Sequence, residues 1–175
     1  PLPARGSLSV AAGPQLTGLS GLAALAPSLR GLYLADLPAL TSLDPGGLFD
    51  GLETLELDSC AMLPGLTGLP AQPSLTRLSL RRLASMTGLA GFPAVGPATT
   101  VYIAEMTALS SLAGLDGLTT CRQLSVVDCD ALASLAGLGN LDTVSERLQI
   151  QGNASLTDLA DLAPQSAVGR VEFFD

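Results

Sequence analysis

Three side chains with the chemistry of an active site lie close together in one short stretch. Glu56, Asp58 and Cys60 alternate with leucines in LETLELDSCAMLPGL, residues 52–66. A thiolate can act as a nucleophile or metal ligand, and a neighbouring carboxylate could serve as its base. The chain has no histidine, however, which is the commonest general base and metal ligand. It also lacks a CxxC pair and a glycine-rich phosphate loop with its lysine. We therefore predict no catalytic residue, metal or cofactor.

The composition limits the class of protein. Its 175 residues are 47% hydrophobic and 3% aromatic, so a core must consist mainly of aliphatic side chains. The net charge of −8, from 16 acids and 8 arginines, argues against binding to nucleic acid or anionic membranes. Gly, Pro and Ser interrupt the leucines, so no apolar run reaches the roughly 20 residues of a membrane helix. The chain has no lysine and abundant Ala, Gly and Leu, a composition typical of a GC-rich genome, and on that basis we expect a bacterial source.

The cysteines and the first residue suggest a location. Cys60, Cys121 and Cys129 are an odd number and fit no disulfide framework, which favours a reducing compartment. The chain starts at Pro1 without a signal peptide. We therefore expect a cytoplasmic protein, with secretion or the cell surface as the alternative, and we expect the chain to be part of a longer protein.

One leucine pattern recurs along the chain and must position these residues. L-x-x-L-x-L or a close variant returns every 23 or 24 residues after a first copy at Leu8, and its alternation predicts a β-strand in each copy. The second apolar position of the later copies is held by Leu32, Leu55, Leu78, Val101, Leu124, Leu148 and Val171. Between the strands, leucine recurs every third residue, which predicts 3₁₀ turns or coil. Glycines that could ease the bends are Gly65, Gly68, Gly114, Gly117 and Gly137.

The repeat resembles the leucine-rich-repeat family over essentially the whole chain. Its consensus, L-x-x-L-x-L-x-x-[C/N/L/M]-x-x-L-x-x-L-x-G-L, is nearest to repeats of NLR-type intracellular receptors and is also similar to bacterial internalin-like repeats. The resemblance implies a leucine-rich-repeat solenoid of the α/β horseshoe class. This would be a curved, right-handed stack of about eight coils, with a parallel sheet on the concave face and 3₁₀ turns or coil on the convex side. A single domain would span 1–175, with repeats near 8–28, 29–51, 52–74, 75–97, 98–120, 121–144 and 145–167 and a partial repeat at 168–175.

The residues between the strand leucines form a variable surface. They point away from the core because side chains alternate along a strand, and stacking the copies arranges them in columns. These columns vary in size and charge whereas the leucines hardly vary, which predicts a binding surface. Tyr33 and Tyr102, the only tyrosines, suit contact anchors. The predicted contact residues are Tyr33, Glu56, Asp58, Arg77, Arg81, Arg82, Tyr102, Glu105, Arg147 and Gln149.

The arginines of the fourth coil allow two interpretations. Arg77, Arg81 and Arg82 could bind a carboxylate or phosphate group of a ligand. Alternatively, they could form ion pairs across neighbouring strands. The expected pairs are Asp58 with Arg81 and Arg82 with Glu105.

The third residue after the last apolar residue of each strand motif, which is the [C/N/L/M] position of the consensus, is predicted to turn inwards. Cys60 would then be a small buried apolar residue rather than a nucleophile. Asn153 would hydrogen-bond the backbone, although N-A-S at this point matches a glycosylation signal. The same position is held in other coils by Leu37, Leu83, Met106 and Cys129.

We therefore expect a non-catalytic module that binds a protein or peptide on the concave face. The resemblance implies the sensor domain of a larger bacterial intracellular receptor or effector. An extracellular internalin-like adhesion domain and a substrate-docking domain of a larger enzyme are the alternatives. Neither end shows an amphipathic capping helix, so we also expect end-to-end or domain contacts at the uncapped termini.

Overall fold

The chain forms one parallel sheet with almost no helix. The computed structural model describes residues 6–44, 49, 51–162 and 167–174. The strands are β1 (Gly6–Ala11), β2 (Leu29–Ala35), β3 (Thr54–Asp58), β4 (Arg77–Arg81), β5 (Thr100–Ala104), β6 (Thr120–Val127), β7 (Thr143–Gln151), β8 (Ala167–Val168) and β9 (Val171–Phe174). The helical segments in these residues are two 3₁₀ turns, Ser20–Leu22 and Ala26–Ser28. No helix in the described part of the chain is long and apolar enough to cross a membrane.

The sheet winds as a solenoid. Each strand from β1 to β7 pairs in parallel with the next one along the chain, and β8 and β9 both pair with β7. The register repeats from coil to coil: Leu55 lies opposite Leu78, and Leu78 lies opposite Val101. The sequence predicted a stack of about eight repeats. The structure has eight strand positions, β1 to β7 and β9, and about seven turns of chain connect them.

The leucine columns form the core. In β3, Leu55 and Leu57 are fully buried, whereas Thr54, Glu56 and Asp58 are half-buried on the other side of the sheet. One coil cannot bury its leucines alone, but coils stacked about 4.8 Å apart share one continuous apolar interior. Each buried leucine contributes about 1.5 to 3 kcal/mol relative to an exposed one.

The three-residue leucine spacing corresponds to hydrogen-bonded turns, so the prediction of 3₁₀ turns or coil is confirmed. The N–H of Leu63 donates to the carbonyl of Cys60 at 3.2 Å, which closes one turn and brings Leu63 inside. Further backbone bonds join neighbouring coils on this side, as from Leu66 N to Ala90 O at 2.7 Å. The turns therefore bury leucines and also connect the coils.

The glycines at the bends differ in what they require. Gly68, Gly114 and Gly137 have φ values of 98°, 109° and 110°, a region that favours glycine. A Cβ on Gly114 would also collide with the backbone of Leu89 in the preceding coil. Gly117, in contrast, has open space around it. The predicted role in bending is confirmed for the first three and not needed at Gly117.

A left-handed residue follows most strands, which the sequence pattern does not predict. Its φ is 51° to 56° at Ala12, Asp36, Ser59, Arg82, Glu105 and Asp128, and 63° at Gly152. We call these seven residues the rim column. The N–H of each non-glycine member donates to the neighbouring coil, as from Arg82 N to Ala104 O at 3.2 Å. This bond extends the ladder by one residue at a conformational cost of roughly 1 to 2 kcal/mol for a non-glycine residue.

Candidate functional site

The exposed face of the sheet carries the predicted columns in the predicted register. Tyr33 lies opposite Glu56, Glu56 opposite Ser79, and Ser79 opposite Tyr102. We use the name outer face for the side chains that continue the columns of Gly31, Tyr33 and Ala35 from β2 to β9, including Arg170 just before β9, together with the rim column. This is the face of the sheet that the resemblance predicts to be concave. All ten predicted contact residues lie on this face.

Cys60 and the two acids beside it lie on opposite sides of the sheet. Cys60 is fully buried, and its Sγ is 3.5 Å from the carbonyl of Asp58 and 3.9 Å from that of Leu34. Burial raises the pKa of the Cys60 thiol. The side chains of Glu56 and Asp58 pair with arginines on the outer face. The prediction that Cys60 belongs to the core is confirmed, and no carboxylate of this stretch is placed to deprotonate it.

The other two cysteines are equally poor nucleophiles. Burial raises the pKa of Cys121 to about 12 and that of Cys129 to about 11. Both are therefore neutral thiols near pH 7, whereas the thiolate is the reactive form. Among the residues that the structure describes, no group of three His, Cys, Asp or Glu side chains could hold a metal ion.

Asn153 has the structural role that the sequence predicted. Its Oδ1 accepts the N–H of Cys129 at 3.0 Å, and its Nδ2 donates to the carbonyl of Val126 at 3.1 Å. Both partners belong to the preceding coil. At the equivalent position two coils earlier, Met106 Sδ lies 3.4 Å from the N–H of Leu83. The residue at this inner position therefore meets the backbone of the coil before it.

Four charged side chains and a serine form a connected group at the rim. Arg82 contacts Asp58 at 2.6 Å and Glu105 at 3.4 Å, and Arg81 contacts Glu105 at 2.5 Å. The hydroxyl of Ser59 donates to Asp58 at 3.0 Å and accepts from Arg82 Nε at 3.1 Å. We call these five residues the rim cluster. Two arginines and two acids leave it with no net charge.

One of the two predicted ion pairs in this cluster is wrong. Arg82 does pair with Glu105, but Asp58 pairs with Arg82 rather than with Arg81. Arg81 lies opposite Asp58 in the sheet, whereas Arg82 has the left-handed rim conformation. From that position its guanidinium reaches the acids of both neighbouring coils. The two arginines therefore do not form an isolated basic spot, because their guanidinium groups already bind carboxylates.

These contacts stabilise the charged forms of the side chains. The hydrogen bond from Arg81, with a second from Arg82, holds the pKa of Glu105 below its usual value. The same bond raises the pKa of Arg81. On β6 and β7, hydrogen bonds from Arg122 at 2.6 Å and from Gln123 at 2.7 Å lower the pKa of Glu146. The pairs therefore persist at neutral pH.

The ring of Tyr33 packs over Gly31, a contact that the sequence did not predict. A Cβ added to Gly31 would lie 2.9 Å from Cε2 of Tyr33 and 2.7 Å from Oγ of Ser7. Glycine at position 31 therefore leaves room for the ring, which rests against its own strand. Tyr33 and Tyr102 are both half-buried, so each has one supported surface and one open surface. Gly31 stands at the outward position before Leu32 in the repeat, but only the structure shows which side chain covers it.

The outer face at β7 and β9 carries a second group of charges. Arg147 and Arg170 both bind Glu172, at 2.5 Å and 2.6 Å, and the Glu172 side chain is only 6% exposed. Gln149 donates to Gln151 at 2.8 Å. Two arginines on one carboxylate leave a local charge of +1, in contrast to the neutral rim cluster.

Tyrosine and arginine are concentrated on the outer face. Both tyrosines lie there, with five of the eight arginines: Arg77, Arg81, Arg82, Arg147 and Arg170. The acids on the face are Asp36, Glu56, Asp58, Glu105, Asp128 and Glu172. Five arginines against six acids give the face a charge of about −1, so most of the chain's −8 lies elsewhere.

The outer face presents charged and aromatic side chains, and the thiols lie behind it in the core. The five arginines of the face pair with acids, the three thiols are buried in the core, and Tyr33 and Tyr102 are half-buried. No protein-family model, curated protein or solved structure matches this chain.

Proposed function

We propose that the chain is a non-catalytic leucine-rich-repeat module that binds a protein or peptide on its outer face. We further propose that it serves as the sensor domain of a larger bacterial cytoplasmic receptor or effector. One observation carries the proposal: both tyrosines and five of the eight arginines lie on this face. Tyr and Arg are enriched in the residues that dominate binding energy at protein interfaces.

The shape of each coil supports the leucine-rich-repeat assignment. A strand that ends L-x-L is followed by an inward Cys, Asn, Leu or Met and then by turns that bury leucines. The backbone bonds of Asn153 agree with the role expected of an asparagine at that position of such a repeat. Successive copies of the strand motif are 23 or 24 residues apart along the whole chain.

The state of the side chains supports binding rather than catalysis. The rim cluster holds Arg81 and Arg82 by ion pairs, and Gly31 provides the surface that supports the ring of Tyr33. Side chains that are already ordered lose less conformational entropy when a partner binds. A binding surface benefits directly from this, whereas a nucleophile needs a free base beside it.

Site-specific photo-crosslinking in the producing cells tests the proposal. A photoreactive phenylalanine at position 33 or 102 should capture the same protein. The matched control is position 113, where Ala113 is exposed on a turn away from the sheet. Capture from 113 but from neither tyrosine position would place the binding site on the turns and refute the proposal.

Substitution of the tyrosines then measures their contribution. Tyr33→Ala and Tyr102→Ala should each weaken binding of the captured partner about tenfold or more, corresponding to about 1.4 kcal/mol. Tyr33→Phe and Tyr102→Phe are the matched controls, because they keep the ring and remove only the hydroxyl. Unchanged affinity in the alanine variants would show that the rings are not contact anchors.

A further inference from the structure

The turns of the third and fourth coils differ in charge from those of the coils that follow. Residues 60–76 and 83–104 contain no charged side chain, although the chain has 16 acids and 8 arginines in its 175 residues. The turns of the fifth and sixth coils, in contrast, carry Asp116 and Asp142, which are both exposed. The side of the solenoid opposite the sheet therefore changes from uncharged to acidic in the middle of the chain.

Apolar side chains are also more exposed on the uncharged turns. Leu69 and Phe92 hold the same position of successive repeats, and both are half-buried. Leu115 and Leu138, at that position in the next two coils, are fully buried. Further half-buried and exposed residues lie beside Leu69 and Phe92. We use the name back patch for this surface, which consists of Leu69, Ala71, Pro73, Phe92, Ala94 and Val95.

The backbone accounts for this difference in exposure. In the fifth coil the N–H of Leu118 donates to the carbonyl of Leu115 at 2.8 Å and closes a turn, and both leucines are buried. In the third coil the N–H of Gln72 donates instead to the carbonyl of Ala94 in the next coil at 2.7 Å, and Gln72 pairs with Val95 as a parallel bridge. In both coils a proline follows the first apolar residue of the segment, which disfavours a helical turn there. The two segments therefore lie side by side and leave apolar side chains at the surface.

We propose that the back patch is a second binding surface, and that it binds a partner segment in which apolar side chains stand next to arginine or lysine. The apolar side chains would cover Leu69 and Phe92, since exposed apolar surface bordered by polar residues marks interaction sites. The basic side chains would lie against Asp116 and Asp142. Asp116 takes the position of Pro93 one coil, or about 4.8 Å, further along the solenoid. The back patch lies on the other side of the coil from the outer face, so this inference does not rest on the function proposed above.

Charge favours such a partner over a second copy of this chain. Each arginine in the described part of the chain already pairs with an acid, as Arg122 does with Glu146 at 2.6 Å. A second copy therefore brings acids but no unpaired arginine from these residues to place against Asp116 and Asp142. A basic segment of another protein supplies the opposite charge that this border lacks.

Selection of peptides tests the chemistry of the partner. Phage that display random peptides are selected on the unaltered chain and depleted on Ala94→Lys, which places a long charged side chain within the back patch. The retained peptides should combine apolar residues with an excess of arginine or lysine over the unselected library. Retained peptides without that excess, or a selection that retains no peptide, would overturn the proposal.

A variant that takes no part in the selection tests the location. Ala71→Lys should weaken binding of the most enriched peptide about tenfold in fluorescence anisotropy, because the new side chain covers apolar surface of the back patch. Ala84→Lys is the matched control, since Ala84 is exposed in the fourth coil outside the patch and the change in charge is the same. Both residues are exposed, so the melting temperature should stay that of the unaltered chain. Equal affinities of the two variants for the peptide would overturn the proposed location.

Removal of the border charges separates a local contact from general attraction to an acidic chain. Asp116→Asn combined with Asp142→Asn should weaken binding of the same peptide about tenfold. The matched control, Asp36→Asn combined with Asp128→Asn, removes two charges from the rim column and should change the affinity less than about twofold, because salt screens distant charges. An equal loss in the control would assign the effect to the net charge of −8 and overturn the proposal.

Sedimentation equilibrium tests the competing occupant, a second copy. The unaltered chain should keep its monomer mass of 17.7 kDa at concentrations up to about 100 µM. An increase in mass that Ala94→Lys abolishes would show that a second copy occupies the back patch and would overturn the proposal.

Discussion

The two sides of the same strands follow different rules. In β4, Leu78 and Leu80 point inwards, are fully buried and lie among other aliphatic side chains. Arg77 and Arg81, from the same strand, point outwards, and each pairs with an acid of a neighbouring coil. The inner positions keep nearly the same residue type in every coil, whereas the outer positions change. Stability is thus concentrated on one side of the sheet, and the chemistry of the surface can vary on the other.

The largest expected effect comes from a cavity in an inner column. Leu78→Ala should lower the free energy of unfolding by about 2 to 5 kcal/mol, because stacked coils cannot collapse fully around the gap. Arg77→Ala in the same strand removes only an exposed ion pair and should cost less than about 1 kcal/mol. Urea unfolding of both variants measures the difference. Similar losses for the two would remove the distinction between the sides.

A smaller effect is expected at the inner position that follows the strand. Asn153→Ala leaves the N–H of Cys129 and the carbonyl of Val126 without their partner and should cost about 1 to 3 kcal/mol. Asn140→Ala is the matched control, since Asn140 donates to the carbonyl of Asp116 at an exposed turn where water can replace it. Equal losses of unfolding free energy in the two variants would contradict a role for Asn153 inside the solenoid.

Acid should weaken the ion pairs that join neighbouring strands. The folded pKa of Glu105 and of Glu146 lies below the usual 4.5, so their stabilising contribution is present above that value. It is lost as the pH falls through the lower folded pKa. Glu105→Gln should therefore lose stability less steeply than the unaltered chain in urea titrations between about pH 6 and about pH 3. Parallel curves for the two proteins would show that the rim cluster does not couple to stability.

The smallest effect on folding is expected at the tyrosines. Tyr33→Ala and Tyr102→Ala should each change the free energy of unfolding by no more than about 0.5 kcal/mol, because both rings lie on the outer face. The same variants are expected to lose partner binding, so affinity and stability separate at these positions. A loss comparable to that of Leu78→Ala would assign the rings to the core.

The inner side of the sheet could be predicted from the sequence. Alternating leucines at a fixed step allow one arrangement in which all of them are buried, and this arrangement fixes the register of the outer columns as well. It also predicts that Cys60 and Asn153 turn inwards: Cys60 is fully buried, and Asn153 is half-buried with its amide bonded to the backbone of the preceding coil. The same pattern predicts that Cys60 lies on the inner side of the sheet and that Glu56 and Asp58 lie on the outer face.

The contacts on the outer side could not be predicted in the same way. The partner of Asp58 depends on the left-handed conformation of Arg82, which arginine rarely adopts and which no local pattern indicates. The support of Tyr33 depends on a side-chain direction along the strand, which leads the ring over Gly31. Spacing determines the face on which a side chain lies, but the choice among neighbours about 4.8 Å apart depends on rotamers and backbone angles.

The constant register also makes one coil the natural unit by which such a chain changes its length. Deleting the 23 residues 79–101 would join Leu78 to Tyr102, and every later strand would keep its leucines inside because Leu78 takes the place of Val101. Deleting only residues 79–100 would join Leu78 to Val101, so Tyr102 rather than Ile103 would take the inner position of that strand. A gene of this kind can therefore lengthen or shorten its protein in steps of about 4.8 Å through duplication or loss of whole coils, adding or removing outer-face residues without a new core.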